Sequence, residues 1–380
     1  MSNPYLPANP FEKIPDPEEE AKQIKDIADR TVGLLDKRYR LKKKAILRGV
    51  HPKSHGCVRA VFQVNADIRK DHQVGLFATP GKRYDAWIRY SNAEARPPRP
   101  DVRKKEGGGL EHGSRGMAVK VINVGGRILL DDHGANNQDF LMINQPSFAF
   151  ANVADYQRLT QVIDEDPEEK PDLFFKPPLN ATGRKTLELI KGIGGIQATP
   201  VANPLEVQYF GAAPFLFGPD RVMKFSAKPS AGVKPQIVLE NPSPSENYLR
   251  EALLKTMSGD EDICFDFMVQ VRGKEDGLNI ENASTVWDFP FVKVAKITIP
   301  APQKDIDSPS GVEHCENLVF TPWHSLAEHQ PLGSINRLRR AVYVASETHR
   351  GANGVPPPEA TKQLLPMRRR LEDLIKRFFS

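Results

Sequence analysis

The chain has 380 residues, 39% of them hydrophobic, enough for one large core or two modest ones. Its 53 basic and 48 acidic residues leave a net charge of +5, too balanced to point to nucleic acid. No run approaches the ~18 consecutive apolar residues of a membrane-crossing helix. The opening MSNPYLPANPFEKIPDPEEE lacks a basic-then-apolar secretory signal, which argues for the cytoplasm. Cys57, Cys264 and Cys315, odd in number and sparse, fit reduced and mostly buried thiols rather than a disulfide framework.

In chain order, residues 1–16 read as an extended arm. Asp16-Pro17 followed by Glu18, Glu19 and Glu20 opens a helix, with a cap, a proline in the first turn and acids at the positive dipole end. Ile24, Ile27, Ala28, Thr31 and Leu35 keep helical period to residue 40 or so. The basic run from Lys37 to Arg48 admits a phosphate or membrane patch, but a solvated helix end suits it better. Arg48 to Val64 ends in a strand. His51 and His55 are four apart, yet Pro52 and Gly56 break the helix that a metal pair would need.

YDAWIRYS (84–91) alternates, with Tyr84, Ala86, Ile88 and Tyr90 on one face and Asp85, Trp87, Arg89 and Ser91 on the other. Residues 94–113 are a loop by composition, and the glycines at 107–109 lack the flanks of a phosphate-cradling loop. Residues 117–124 and 126–132 are expected to pair as strands about Gly125. The stretch 136–150 leads into a helix from Val153 to Asp164, a connecting loop at 165–180 and a short helix from Thr186 to Gly194. Further strands are expected at 221–227, 236–240, 263–271 and 291–299. ICFDFMVQV is the clearest, with Ile263, Phe265, Phe267, Val269 and Val271 on one face. Residues 245–257 are an amphipathic helix capped by Ser245. These elements predict an α+β fold, an antiparallel β-barrel with surrounding and carboxyl-terminal helices.

The last strong element is GSINRLRRAVYVASETHRGANG (333–354). Leu338, Ala341, Val342 and Ala345 form an apolar stripe, with Ser334 or Asn336 as cap and Gly351 as stop. Arg339, Tyr343, Ser346 and Arg350 fall on a second stripe. Two guanidiniums bracketing a phenol suit either a solvated face or a phenolate bound to a cation.

Several segments, in order, resemble the haem-dependent catalase superfamily, specifically its small catalase-related members. Arg48-Gly-Val50-His51-Pro-Lys53 is similar to the distal histidine motif, and Arg89-Tyr90-Ser91 to the Arg-Phe-Ser strand. Arg115-Gly-Met-Ala-Val-Lys120 is similar to Arg-Gly-Phe-Ala-Val-Lys, and Asn136-Asn137 to the distal asparagine pair. Arg339-x-x-x-Tyr343, with Arg350 seven residues on, matches the proximal ligand segment, and residues 316–340 resemble the run leading into it. The resemblance implies a haem-binding barrel domain over 45–350, after an arm and helix at 1–44 and before a loop and helix at 351–380.

It further implies haem b, with iron bound by Tyr343 as phenolate and Arg339 beside it. Arg48, Arg89 and Arg350 would hold the propionates. His51 would be the general base on the opposite side, Ser91 would steady its ring and Asn136 would hold the peroxide. His55 is expected to be structural. Large catalases place Thr-Pro, an aliphatic residue and two phenylalanines after the asparagine pair. Leu141 and Met142 stand here instead, which implies a wider or more adaptable pocket. Val50 is the residue type of true catalases rather than of allene oxide synthases. The implied activity is cleavage of a peroxide O–O bond, serving dismutation of hydrogen peroxide or oxidation of an organic reductant. A fatty-acid hydroperoxide isomerase or lyase, a non-enzymatic haem protein and a basic lipid- or nucleic-acid-binding barrel are the rivals. The sequence leaves the number of subunits open, a homo-oligomer among the options.

Overall fold

The computed structural model describes residues 9–351 apart from 94–97, 99, 105–109, 131–135, 166–199, 231–244 and 274–275. Its strands are β1 (Ser54–Val64), β2 (Arg83–Asn92), the short pair β3 (Arg103–Lys104) and β4 (Leu110–Glu111), β5 (Arg115–Val121) and β6 (Gln138–Ile143). They continue with β7 (Tyr209–Phe210), β8 (Phe215–Leu216), β9 (Arg221–Pro229), β10 (Ile263–Gly273) and β11 (Val292–Ile299). The helices are α1 (Pro17–Arg38), α2 (Val153–Glu165), α3 (Tyr248–Met257), α4 (Pro309–Asn317) and α5 (Ser334–Arg350).

Antiparallel pairing runs β10, β11, β1, β2, β5, β6, β7, β9 and returns to β10, with β8 outside on β9. This ring closes the sheet on itself as a barrel. Alternation fills it: Tyr84, Ala86, Ile88 and Tyr90 point into the same core as Phe265, Phe267 and Val269. Phe140 anchors that core, 4.7 Å from the ring of Phe267 and 4.9 Å from that of Phe225. The expected α+β barrel is therefore present.

Several local expectations fail for identifiable reasons. Residues 126–130 do not pair with β5, which instead lies between β2 and β6. Asn123 (φ 55°), Gly125 (φ 69°) and Gly126 (φ 102°) turn the chain away, and Ile128 forms an isolated bridge to Leu326. Ser245 does not cap α3. Asn247 stands at that position, and the Ser245 hydroxyl donates to Glu251 instead. Cys57 and Cys315 are joined by a disulfide between β1 and α4, which overturns the expectation of three free thiols. A separation of 258 residues hid their proximity. The helix expected at 186–194, the strand at 236–240 and nearly all of 351–380 lie outside the described residues. No helix among the described residues is long and apolar enough to cross a membrane.

Helix α1 is capped by Asp16, whose side chain accepts from Glu19 N–H. Its Ile24 and Ile27 pack against Leu338 and Val342 of α5 and Val153 of α2. Neither Ser334 nor Asn336 caps α5. Carboxylates from elsewhere do so, Glu12 accepting from Gly333 N–H at 2.7 Å and Glu281 from Ser334 N–H at 2.9 Å. Buried Arg337 bridges the same two acids and Glu20, each at 2.6 Å. That cluster locks the amino-terminal segment onto the start of α5.

His55 and His329 are fully buried. Burial holds them neutral, lowering His55 to about 3 and His329 to about 4. Each takes up a proton on unfolding but not while folded. Stability should therefore be present above pH 6.5 and fall as pH drops toward 4, by up to about 3 kcal/mol per pH unit from the two together. Urea unfolding at stepped pH measures this. A flat stability over that range contradicts it.

Candidate functional site

Three adjacent strands build a floor on the barrel wall, facing away from the central core. Register places Ser91 of β2 opposite Gly116 of β5, and Gly116 opposite Ile143 of β6. One pleat further, Arg89, Ala118 and Leu141 form a parallel row on the same face. His51 lies over the first row. Its backbone is left-handed (φ 56°), unusual for a non-glycine residue, and its Nδ1 is 3.0 Å from Ser91 Oγ. Its carbonyl accepts from Arg89 Nη2 at 3.0 Å. Gly116 makes room for the ring, because a methyl group there would sit 2.4 Å from His51 Nδ1. Nε2 makes no hydrogen bond to a described residue and stays free to accept a proton.

Helix α5 supplies the facing wall, and α1 covers the flank. His51, Ser91, Leu141, Met142, Ile143 and Tyr343 line one cavity of about 210 Å³. Arg339 and Arg350 enter it from α5, one turn before and two turns after Tyr343. The Arg339 guanidinium lies 5.5 Å from the centre of the Tyr343 ring and donates to Asn336 Oδ1. Ser346 ties the two walls together, its hydroxyl accepting from Gly49 N–H at 3.3 Å. The Tyr343 phenol makes no hydrogen bond to a described residue.

Electrostatics single out one end of the cavity. Arg48 reaches Glu316 at 2.6 Å and also donates to the carbonyls of Cys315 and Leu318. Arg89 stands 3.7 Å from the same carboxylate, and Arg350 donates to the Glu316 carbonyl. Three guanidiniums thus converge on Glu316. Burial and then Arg48 lower Arg89 to about 9 and Arg350 to about 10. Burial pushes Glu316 up, but Arg89, Arg48 and Arg350 together hold it below its ordinary value. Nε of both Arg89 and Arg350 is buried without a partner among the described residues. Of the lining arginines, Arg30 pairs with Asp26 and Arg48 with Glu316, while Arg89 stands further from the Glu316 carboxylate and Arg350 meets only its carbonyl. Desolvated cations of this kind, beside apolar walls, suit a ligand with an apolar body and more than one carboxylate. Burial, then Arg89, Arg339 and Arg48, depress His51 to about 3, so it is neutral at any ordinary pH.

The structure thus brings Arg48, His51, Arg89, Ser91, Arg339, Tyr343 and Arg350 to one cavity. It does not bring Asn136 there. Val121 pairs with Gln138 at one end of the β5–β6 ladder, and Gly116 with Ile143 at the other. Five residues at ~3.4 Å each put the two ends about 17 Å apart. Asn136 precedes the far end, and Ile143 occupies the place beside Gly116. Sequence reasoning also passed over Glu316 and Gly116. A glycine inside a strand is a signal of close approach and was legible. The role of Glu316 depends on arginines distant in sequence and was not.

No protein-family profile and no curated protein matches the chain. Solved structures do. A fungal catalase superposes with a TM-score of 0.60 at 17% identity, covering 85% of this chain and 63% of its own. A bacterial catalase gives 0.61 at 15% identity, covering 94% of this chain and 67% of its own. Catalase A from Saccharomyces cerevisiae gives 0.59 at 16%, covering 93% and 68%.

The fold is that of the catalases. At such identities the likeness concerns architecture, and the chain spans under two thirds of the fungal catalase's length. Within this catalase-like fold, Gly116→Ala should displace the His51 ring while leaving the arginine cluster and Tyr343 intact. The displaced ring should lose its contact with Ser91 Oγ. The imidazole NMR signals of His51, or a crystal structure of the variant, check this, and an unmoved ring contradicts the placement of His51.

Proposed function

We propose that the protein is a haem b enzyme of the catalase-related type that cleaves peroxide O–O bonds. One observation carries this reading: a neutral imidazole and a phenol with no hydrogen bond to a described residue line the same cavity, with a buried arginine cluster at its end. Haem, when bound, supplies the iron redox chemistry that breaks the O–O bond. Arg48, Arg89 and Arg350 would hold its propionates, and Tyr343 its iron. Ligation as phenolate would draw on the metal and on the adjacent Arg339 cation.

His51 does the proton work. Its free Nε2 takes the proton from one oxygen of the hydroperoxide and returns it to the departing oxygen. Ser91 fixes the ring through Nδ1. Gly116 lets it lie flat on the strand, and depressed basicity keeps it unprotonated beforehand.

Within this reading, the residue beside His51 favours oxidation of an organic reductant over dismutation. The floor continues from Gly116 to Ile143 and Leu141, both hydrocarbon, and among the described residues no amide side chain lines the cavity to hold a second peroxide. Haem-loaded protein should oxidise an organic reductant faster than it releases oxygen from hydrogen peroxide. His51→Ala should keep haem and lose turnover by 10²-fold or more, Tyr343→Phe should lose haem or shift its spectrum, and Asn136→Ala should stay within about twofold of native. Parallel oxygen-electrode and dye-oxidation assays measure these. Normal turnover by His51→Ala contradicts the mechanism, and conversion of a fatty-acid hydroperoxide without reductant would favour the isomerase instead.

A further inference from the structure

The basic run after α1 does not behave as a helix end. Cations that complement a helix dipole belong in its last turn, where Lys37 and Arg38 already stand. Lys42 ends a short turn at Arg40–Lys42 beyond the helix, and the left-handed Lys43 (φ 53°) and Lys44 follow it. All three are exposed and form no ion pair with a described residue. From Lys37 to Lys44 six of eight residues are basic and none is acidic. In their midst Leu41 is 72% exposed, more than any other large hydrophobic side chain among the described residues.

Position gives this loop a direction. The residues before it, Leu34, Leu35 and Arg38, line the cavity, and so do those after it, Arg48, Gly49 and Val50. The loop is therefore an excursion to solvent between two stretches of cavity wall. Lys42, Lys43 and Lys44 beside one projecting leucine match a surface with negative headgroups over hydrocarbon, in both charge and layering. Polyanions without hydrocarbon leave Leu41 without a partner.

We propose that residues 39–44 dock the protein on an anionic phospholipid surface, placing the cavity wall beside that surface. The attachment is peripheral, with lysines at the headgroups and Leu41 just below them. It does not depend on what the cavity holds.

Sedimentation of the full-length chain with vesicles tests this. One set is phosphatidylcholine alone, and the other contains one third phosphatidylglycerol, both at 0.1 M salt. Binding should be at least tenfold tighter to the anionic set and should weaken as salt rises. Substituting Lys42→Glu, Lys43→Glu and Lys44→Glu together should lower anionic-vesicle affinity by about 100-fold or more, at roughly fivefold for each lysine lost and more for the acids gained. Leu41→Ser should lower it by severalfold while leaving the charge unchanged. These residues lie off the cavity lining, so peroxide turnover in solution should persist in every variant. Equal binding to the two vesicle sets, or native affinity in the triple variant, overturns the proposal. So does tighter binding to a DNA duplex than to vesicles, with Leu41→Ser indifferent.

Discussion

Everything at the site turns on three guanidiniums gathered around one carboxylate. Arg48, Arg89 and Arg350 come from a loop, a strand and the end of a helix, and all reach Glu316 through its carboxylate or its carbonyl. Like charges so close, and so far from water, repel, which is why burial and mutual proximity depress the basicity of Arg89 and Arg350. One carboxylate cannot satisfy three cations. The remaining demand is for anion, and the cavity beside it joins apolar walls to His51, Ser91 and Tyr343.

The barrel's contribution is rigidity. Closure of the sheet fixes the register of β2, β5 and β6, and register alone sets Ser91, Gly116 and Ile143 in one row. A one-residue slip would turn that row into the core and present Tyr90, Met117 and Met142 instead. The left-handed backbone at His51 is held by Ser91 of that row and by Arg89 one pleat further. Helix α5 is fixed against the barrel from its other end, where Arg337 draws Glu12, Glu20 and Glu281 together. The disulfide between Cys57 and Cys315 joins β1 to the residue before Glu316, so the carboxylate is anchored to the barrel covalently.

Much of this was legible in the chain. Period-two alternation at 84–91 and 263–271 gave the barrel strands, and the double stripe on α5 gave both its packing face and its cavity face. Motif resemblance found seven residues that the fold gathers: Arg48, His51, Arg89, Ser91, Arg339, Tyr343 and Arg350. What escaped reading depended on contacts distant in sequence. Cys57 and Cys315 are 258 residues apart, and Glu316 owes its role to arginines on three other segments. Asn136-Asn137 failed for a different reason. A dipeptide match carries no register, and the β5–β6 pairing shows that it stands at the wrong end of the strand.

Charge demand at the arginine cluster is the claim that most needs a direct test. Equilibrium titration of the metal-free protein with haem, and separately with haem dimethyl ester, isolates it, because the two ligands differ only in the carboxylates. Loss of two charge-assisted contacts at about 1.5 kcal/mol each should weaken the ester by about 100-fold or more. Equal affinity for the two would mean that the cluster does not serve the ligand's carboxylates, and the account of the site would be wrong.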